Sequence, residues 1–322
     1  MPEEVLIRMK RVGICGSDIH YYQYGYAGSF LLKRPFILGH EGAGEVVETG
    51  VVVSNLPVGA RVAIDPSQPC YKCSLCTSGR YNLCLNMRYL GSASTDPHID
   101  GVFCEYFCMP ARNCYPVPDN LGYAEAAMIE PLSVAIHAVK RSGMIDGSFV
   151  LITGGGAIGQ LALLVARTFG AGKIALTEII KERRELAISQ GSDITLNPTD
   201  PSIKEQAIDF SSGGFDVVIE ASGAPAAVKQ AIELVRRGGA IVLVGSLPTE
   251  VTLPLNFVMT KELQLVGSFR FANVFEEAIH LVASGQINLK PLITNILPYN
   301  ELKEAIQLAS SRGSIIKVQV EI

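Results

Sequence analysis

The sequence predicts an α/β protein: a doubly wound parallel sheet, joined to an all-β lobe that precedes it. Three observations carry this expectation. Gly154, Gly156 and Gly159 form a G-x-G-x-x-G turn between the apolar run SFVLIT and the amphipathic stretch AIGQLALLVARTFG. From residue 149 onward, six strand-like runs alternate with helical ones, the pattern of a parallel sheet. Before residue 130 the texture differs, with short apolar runs parted by glycine and proline turns.

Along the chain, VLIRMKRVG, PFILG, GEVVETG, ARVAIDP and FCEYFCMP read as strands of the first lobe, and LSVAIHAVKRSG as a helix leaving it. The second lobe opens with FVLIT, followed by KIALTE, DITLN, FDVVIEASG, GAIVLVG and LQLVGSF, with helices such as APAAVKQAIELVRR between them. FRFANVFEEAIHLVASG is helical, and the final IIKVQVEI is a strand that returns to the first lobe. The expected division is 1–131 with 271–322, and 132–270.

Of 322 residues, 48% are apolar and 18% charged, which suits two sizeable cores and argues against disorder. No uninterrupted apolar stretch reaches the roughly 18 residues of a membrane span. The opening MPEEVLIRMK lacks the apolar centre of a secretory signal, so a soluble, cytoplasmic protein without a membrane partner is expected. A net charge of −4 without lysine or arginine clusters gives no footprint for nucleic acid.

Half of the eight cysteines lie in one loop, Cys70, Cys73, Cys76 and Cys84, spaced C-x2-C-x2-C-x7-C. Two intervening residues let a turn aim two sulfurs at one point, so the loop reads as a closed four-thiolate structural zinc site. A disulfide loop is the competing reading, disfavoured without a secretory segment. Cys15, in GICGSDIHYY, and His40, in LGHEGAGEVVETG, supply ligands for a second, catalytic zinc. Such a site keeps three protein ligands and one open position, and the third ligand is Glu41 or Glu130. Neighbouring residues of a regular strand face opposite ways, which separates His40 from Glu41 unless the glycines break the strand there. Glu130 stands just before Pro131 at a helix N-terminus, which favours an ionised carboxylate.

Glu178, at the end of KIALTE, lies at the spacing of an acid that accepts hydrogen bonds from a ribose and repels a 2′-phosphate. NAD is therefore the expected cofactor. Arg183 and Arg184 follow closely and leave NADP as the alternative.

GICGSDIH, LGHEGAGEVVETG, the four-cysteine loop, EPLSVAIHA, GGGAIG and GSFRF occur in the order found in zinc-dependent medium-chain dehydrogenases, and nearly the whole chain resembles that family. Within it the chain is most similar to the sorbitol dehydrogenase branch. NMRYLGSASTDPHIDGVF and GSFRF resemble L-idonate 5-dehydrogenases more closely than animal sorbitol dehydrogenases.

The resemblance implies a GroES-like catalytic domain joined to a Rossmann domain, with two zinc ions per chain and the reaction in the cleft between domains. By it, Cys15, His40 and Glu41 match the catalytic zinc positions, Glu130 matches a carboxylate that binds the zinc or its water, and Ser17 and His20 match a proton relay. Tyr21, Glu130, Arg270 and Phe271 match polyol contacts, Phe271 standing where animal sorbitol dehydrogenases carry tyrosine. Glu178 and Arg183 match adenosine-ribose contacts. Ile158, Val244, Gly245, Ser246, Ser268, Phe269 and Arg270 match other cofactor-lining positions. A homodimer or homotetramer is implied as well. Relatives usually carry another strand or two before the segment PEEVLIRMKRVG, which predicts an exposed sheet edge in the first lobe.

The expected reaction is oxidation of a secondary CH–OH group, with zinc as Lewis acid. L-Idonate going to 5-dehydro-D-gluconate is the leading substrate, and sorbitol or xylitol the alternative. Outside enzymes, the alternative is a non-catalytic zinc- and dinucleotide-binding protein. An aldonate carries a carboxylate that a polyol lacks, which suits a guanidinium; Arg270 and Arg88 are the candidates, Arg88 also reading as a surface or loop-bracing residue.

Overall fold

Alternation governs the longest strand of the first lobe: in Glu4–Gly13 the side chains of Val5, Ile7 and Met9 turn into the core while their neighbours are less buried. The computed structural model describes residues 1–143, 145–311 and 313–322, which divide into two units, 1–133 with 272–322, and 134–271. In the first unit, Glu4–Gly13 pairs antiparallel with the strand Glu41–Thr49 on one side. On the other side it pairs with Tyr106–Pro110 along residues 4–8 and with Lys317–Glu321 along residues 11–13. The strand is thus paired on both sides.

The same sheet runs on through Ile293–Pro298 beyond Lys317–Glu321, and through Arg61–Ile64 and Cys114–Pro116 beyond Glu41–Thr49. Val46, Val62, Ile64, Met109, Val318 and Val320 close its core with the three inward residues of the first strand.

PFILG is not a strand. The carbonyls of Ile37, Leu38 and Gly39 instead receive the backbone N–H groups of Gly101, Phe103 and Val102. Gly39 has φ +94°, which ends any regular extended geometry before His40. The crossing segment comes so close that a Cβ on Gly101 would stand 2.1 Å from the Gly39 carbonyl oxygen.

The second unit carries six parallel strands in the spatial order Ile194–Leu196, Lys173–Thr177, Phe149–Thr153, Phe215–Glu220, Val235–Leu243 and Gln264–Gly267. Strand order reverses between Phe149–Thr153 and Phe215–Glu220, where doubly wound sheets bind dinucleotides. Leu151, Ala175, Val218 and Ile241 pack against Val228, Ala231 and Ile232 of the helix Pro225–Leu234. That helix stops short of the VRR expected to end it. Val235 and both arginines open the next strand instead, and the Lys261 ammonium holds the carbonyls of Ile232, Glu233 and Val235 at 2.9 Å. At the reversal point the Glu220 Oε1 accepts N–H groups from Ser222 at 2.9 Å and Gly223 at 3.0 Å and the Thr153 hydroxyl at 3.3 Å, tying two strand ends together.

Among the described residues, no helix is long and apolar enough to cross a membrane. The close approach at Gly101 yields a test. Gly101→Ala should lower unfolding free energy by about 1–3 kcal/mol in urea titration, through forced backbone displacement; an unchanged midpoint contradicts the packing described.

Candidate functional site

The first unit brings Cys15, His40 and Glu41 together. Cys15 is the N-cap of the helix Gly16–Tyr24, and His40 immediately precedes the strand Glu41–Thr49. Because the regular strand begins only at Glu41, His40 and Glu41 are not held to opposite faces, and one donor atom from each of the three residues lies within 4.8 Å of the others. His40 and Glu41 are buried, while Cys15 is partly exposed.

Each donor is held from behind. Asp18, fully buried, accepts the Cys15 N–H at 2.9 Å on Oδ2 and the Gly39 N–H at 3.2 Å on Oδ1, which also stands 3.8 Å from His40 Nδ1. Glu41 is gripped by the buried Lys317, whose Nζ lies 2.7 Å from both carboxylate oxygens and 3.2 Å from the Ile14 carbonyl. Gly13 faces Glu41 across the strand pair, and any Cβ there would fall 2.1 Å from Oε2. Glu130 sits in the first turn of the helix Ile129–Arg141, buried, with the Tyr89 hydroxyl donating to Oε1 at 2.6 Å. The Tyr89 ring lies 5.9 Å from the His40 ring.

Electrostatics fit a cation. Burial pushes the Glu130 carboxyl up to about 7, His40 pulling the other way, and burial also raises Asp18. Burial opposes charge on His40, yet Cys15 and Asp18 outweigh it and hold the imidazole well above its ordinary value. The cluster therefore concentrates a thiol and three carboxyls around one ammonium, and His40 Nδ1 is buried without a hydrogen-bond partner. Sulfur, imidazole and carboxylate, with one buried ring nitrogen unpartnered, are the donor set of a catalytic zinc.

The four-cysteine loop fills residues 69–87, between the paired short strands Ser67–Gln68 and Arg88–Tyr89. Its sulfurs are 3.5 Å apart between Cys73 and Cys76, and 3.9 Å apart between Cys73 and Cys84. These separations far exceed the roughly 2.05 Å of a disulfide. They bracket the roughly 3.8 Å edge of a tetrahedron with metal–sulfur bonds of about 2.3 Å. Backbone N–H groups of Lys72 and Cys73 lower the Cys70 thiol to about 6 and those of Cys76 and Leu85 lower Cys73, which favours thiolates at these two positions, while burial pushes Cys76 up to about 12.

In the second unit the candidate cofactor residues all follow C-terminal strand ends of the one parallel sheet. Gly154, at φ +91°, leaves Phe149–Thr153, and Gly156 is the N-cap of the helix Ala157–Thr168, which Ile158 and Gly159 continue. Glu178 follows Lys173–Thr177, accepting N–H groups from Gly155 at 2.8 Å and Ile180 at 2.9 Å. Val244, Gly245 and Ser246 follow Val235–Leu243; Ser268, Phe269 and Arg270 follow Gln264–Gly267. The Ser268 hydroxyl is buried without a partner, and the Arg270 guanidinium lies 4.9 Å over the Phe269 ring. Arg184 is committed to the carbonyls of Glu178 and Ile179, at 2.6 and 2.9 Å, and Arg183 is half-buried on the helix Lys181–Ser189. This turn and carboxylate fit an adenine dinucleotide.

The remaining candidates are less concentrated. Ser17 is half-buried and His20 exposed, one turn apart on the helix Gly16–Tyr24. Tyr21 is buried, its hydroxyl accepting the Ala93 N–H at 3.1 Å. Phe271 is buried in the second unit. Arg88 is exposed, and its strand neighbour Tyr89 is the residue turned toward Glu130. Asp18, Lys317 and Tyr89 escaped the sequence reading. Asp18 had a local signal, three residues after the N-cap Cys15 as in a capping box. Lys317, far along the chain, had none.

Lys317→Met should leave Glu41 as an unpaired buried carboxylate and cost about 3–5 kcal/mol in denaturant unfolding. Adding Glu41→Gln should recover much of that loss; a single variant as stable as the parent contradicts the pairing.

Residues 1–119 match the alcohol dehydrogenase GroES-like domain, and residues 157–284 match the zinc-binding dehydrogenase domain. A sorbitol dehydrogenase of Bombyx mori is 39% identical over 99% of this chain and 92% of its own length. A probable D-xylulose reductase A of Aspergillus fumigatus is also 39% identical, over 95% of this chain and 86% of its own. The crystal structure of L-idonate 5-dehydrogenase from Escherichia coli matches with TM-score 0.95 and 37% identity, covering 100% of this chain and 92% of that one. With a Rossmann sheet, a GroES-like unit and two metal-ligand clusters in place, the chain belongs to the zinc-containing, NAD(P)-dependent medium-chain dehydrogenases, in the sorbitol dehydrogenase branch.

Proposed function

We propose that the protein oxidises L-idonate at C5 to 5-dehydro-D-gluconate, with NAD as hydride acceptor. The observation that carries the oxidation is the convergence of Cys15, His40 and Glu41 beside the buried Glu130. Likeness over the full chain to the L-idonate 5-dehydrogenase structure supports the substrate. Sorbitol or xylitol is the second reading, favoured by the 39% identical relatives and by the outward position of Arg88, which leaves Arg270 as the candidate for a substrate carboxylate.

Cys15, His40 and one of the two glutamates would hold the catalytic zinc, which supplies Lewis acidity toward the substrate hydroxyl. Asp18 orients Cys15 and His40, and Lys317 fixes Glu41, so the donors are in place before the substrate arrives. Ser17 Oγ is half-buried beside Cys15 in sequence, and His20 reaches solvent, so a proton handed to Ser17 leaves through His20. Glu178 and Arg183 would hold the adenosine ribose of NAD, which would accept the hydride with both electrons of the broken C–H bond. Glu178, at the strand end, disfavours a 2′-phosphate there, and Arg184 is already bound to backbone carbonyls. We also propose a homodimer or homotetramer, supported by Leu255, Phe257, Met259 and Leu265, which are exposed on and beside the edge strand Gln264–Gly267.

Zinc-loaded protein offered L-idonate, sorbitol and xylitol, each with NAD and with NADP, should reduce NAD, with kcat/KM for L-idonate at least about ten-fold above the others. Neutral polyols in the lead would transfer the assignment to sorbitol or xylitol. Cys15→Ser should abolish turnover while NAD affinity stays nearly intact, because the two ligand sets lie in separate units; equal loss of both contradicts that division.

A further inference from the structure

Tyr89 is the residue where the two metal-ligand clusters of the first unit meet. On one side its ring belongs to a packed cluster with Met87, Cys84 and the other three loop cysteines. On another side the same ring lies 5.9 Å from His40, and its hydroxyl donates to Glu130 Oε1 at 2.6 Å. Tyr89 is buried, and so is Glu130, so this contact is sheltered from water.

The loop's architecture fixes that position. Ser67–Gln68 and Arg88–Tyr89 form a two-residue ladder with Ser67 opposite Tyr89, and the four cysteines lie in the connection between them. The Ser67 carbonyl is held by the Asn113 side chain at 2.6 Å, and the Leu90 N–H extends the pairing to the Pro66 carbonyl at 3.1 Å. Four thiolates closed on one ion would therefore brace the hairpin that carries Tyr89.

We propose that Tyr89 is a positioning residue for the reaction: the four-cysteine loop sets Tyr89, and Tyr89 sets the Glu130 carboxylate beside Cys15, His40 and Glu41. The loop thereby acts on the chemistry through one hydroxyl, in addition to bracing the fold. This deepens the proposed oxidation and rests on that reading for its kinetic arm.

Tyr89→Phe keeps the ring against His40 and the cysteines and removes only the O–H. Expected results are a fall in kcat of about ten-fold or more on whichever substrate the parent oxidises, with KM for NAD within about two-fold. The thermal midpoint should fall by no more than about 5 °C. Added to a Glu130→Met background, the same substitution should alter kcat by less than about two-fold, since Tyr89 acts through Glu130. With cobalt(II) exchanged into the catalytic cluster, the visible absorption bands should move on Tyr89→Phe in the parent and stay unmoved in Glu130→Met. Parent-like kinetics and spectrum for Tyr89→Phe, or equal changes in both backgrounds, overturn the proposal. A parent inactive on every polyol and aldonate would sink the proposed function, and the cobalt spectra would still decide the role of Tyr89.

Discussion

The crowding of titratable groups in the interior of the first unit is the constraint on which the rest of the structure turns. Cys15, Asp18, Glu41 and Glu130 converge on a volume containing one ammonium, that of Lys317. Burial opposes charge on Asp18, Glu130 and Lys317, and interiors tolerate such density only where each group is paired or bound to a cation. Lys317 answers for Glu41, Tyr89 for Glu130, and two backbone N–H groups for Asp18. Cys15, His40 and Glu41 still offer a sulfur, an imidazole nitrogen and a carboxylate oxygen within 4.8 Å of one another, the donor set of a zinc ion.

Backbone geometry makes this convergence physical. A regular strand through His40 and Glu41 would send their side chains apart, and Gly39 at φ +94° prevents that strand from forming. Gly13 gives the Glu41 carboxylate its room, and the close pass of residue 101 under residue 39 fixes the turn from below. The last strand, Lys317–Glu321, brings Lys317 back beside residues near the chain start by pairing with Arg11–Gly13. In the second unit the corresponding order comes from one rule: the candidate cofactor residues stand at the C-terminal ends of parallel strands or on the helices that follow them.

The parts legible in the sequence were those with local signals. The parallel sheet announced itself by alternating runs and a glycine turn, and the cysteine loop by spacing alone. Glu178 followed from its distance to that turn. The misreadings have physical causes. PFILG has strand composition, but its carbonyls are spent on the crossing segment 101–103 rather than on a ladder. The arginines after the helix Pro225–Leu234 look helical, yet Lys261 caps the carbonyls there and the chain turns extended. Lys317 and Tyr89 were invisible for a different reason: each meets its partner across 276 and 41 residues respectively, and no periodicity encodes such a contact.

Zinc content per chain tests the charge balance most directly. Metal analysis of the purified protein should give two zinc ions per chain, and the double variant Cys15→Ser, His40→Ala should keep one, held by the four-cysteine loop. One zinc in the parent, or two retained in the variant, would contradict a metal-completed cluster at Cys15, His40 and Glu41.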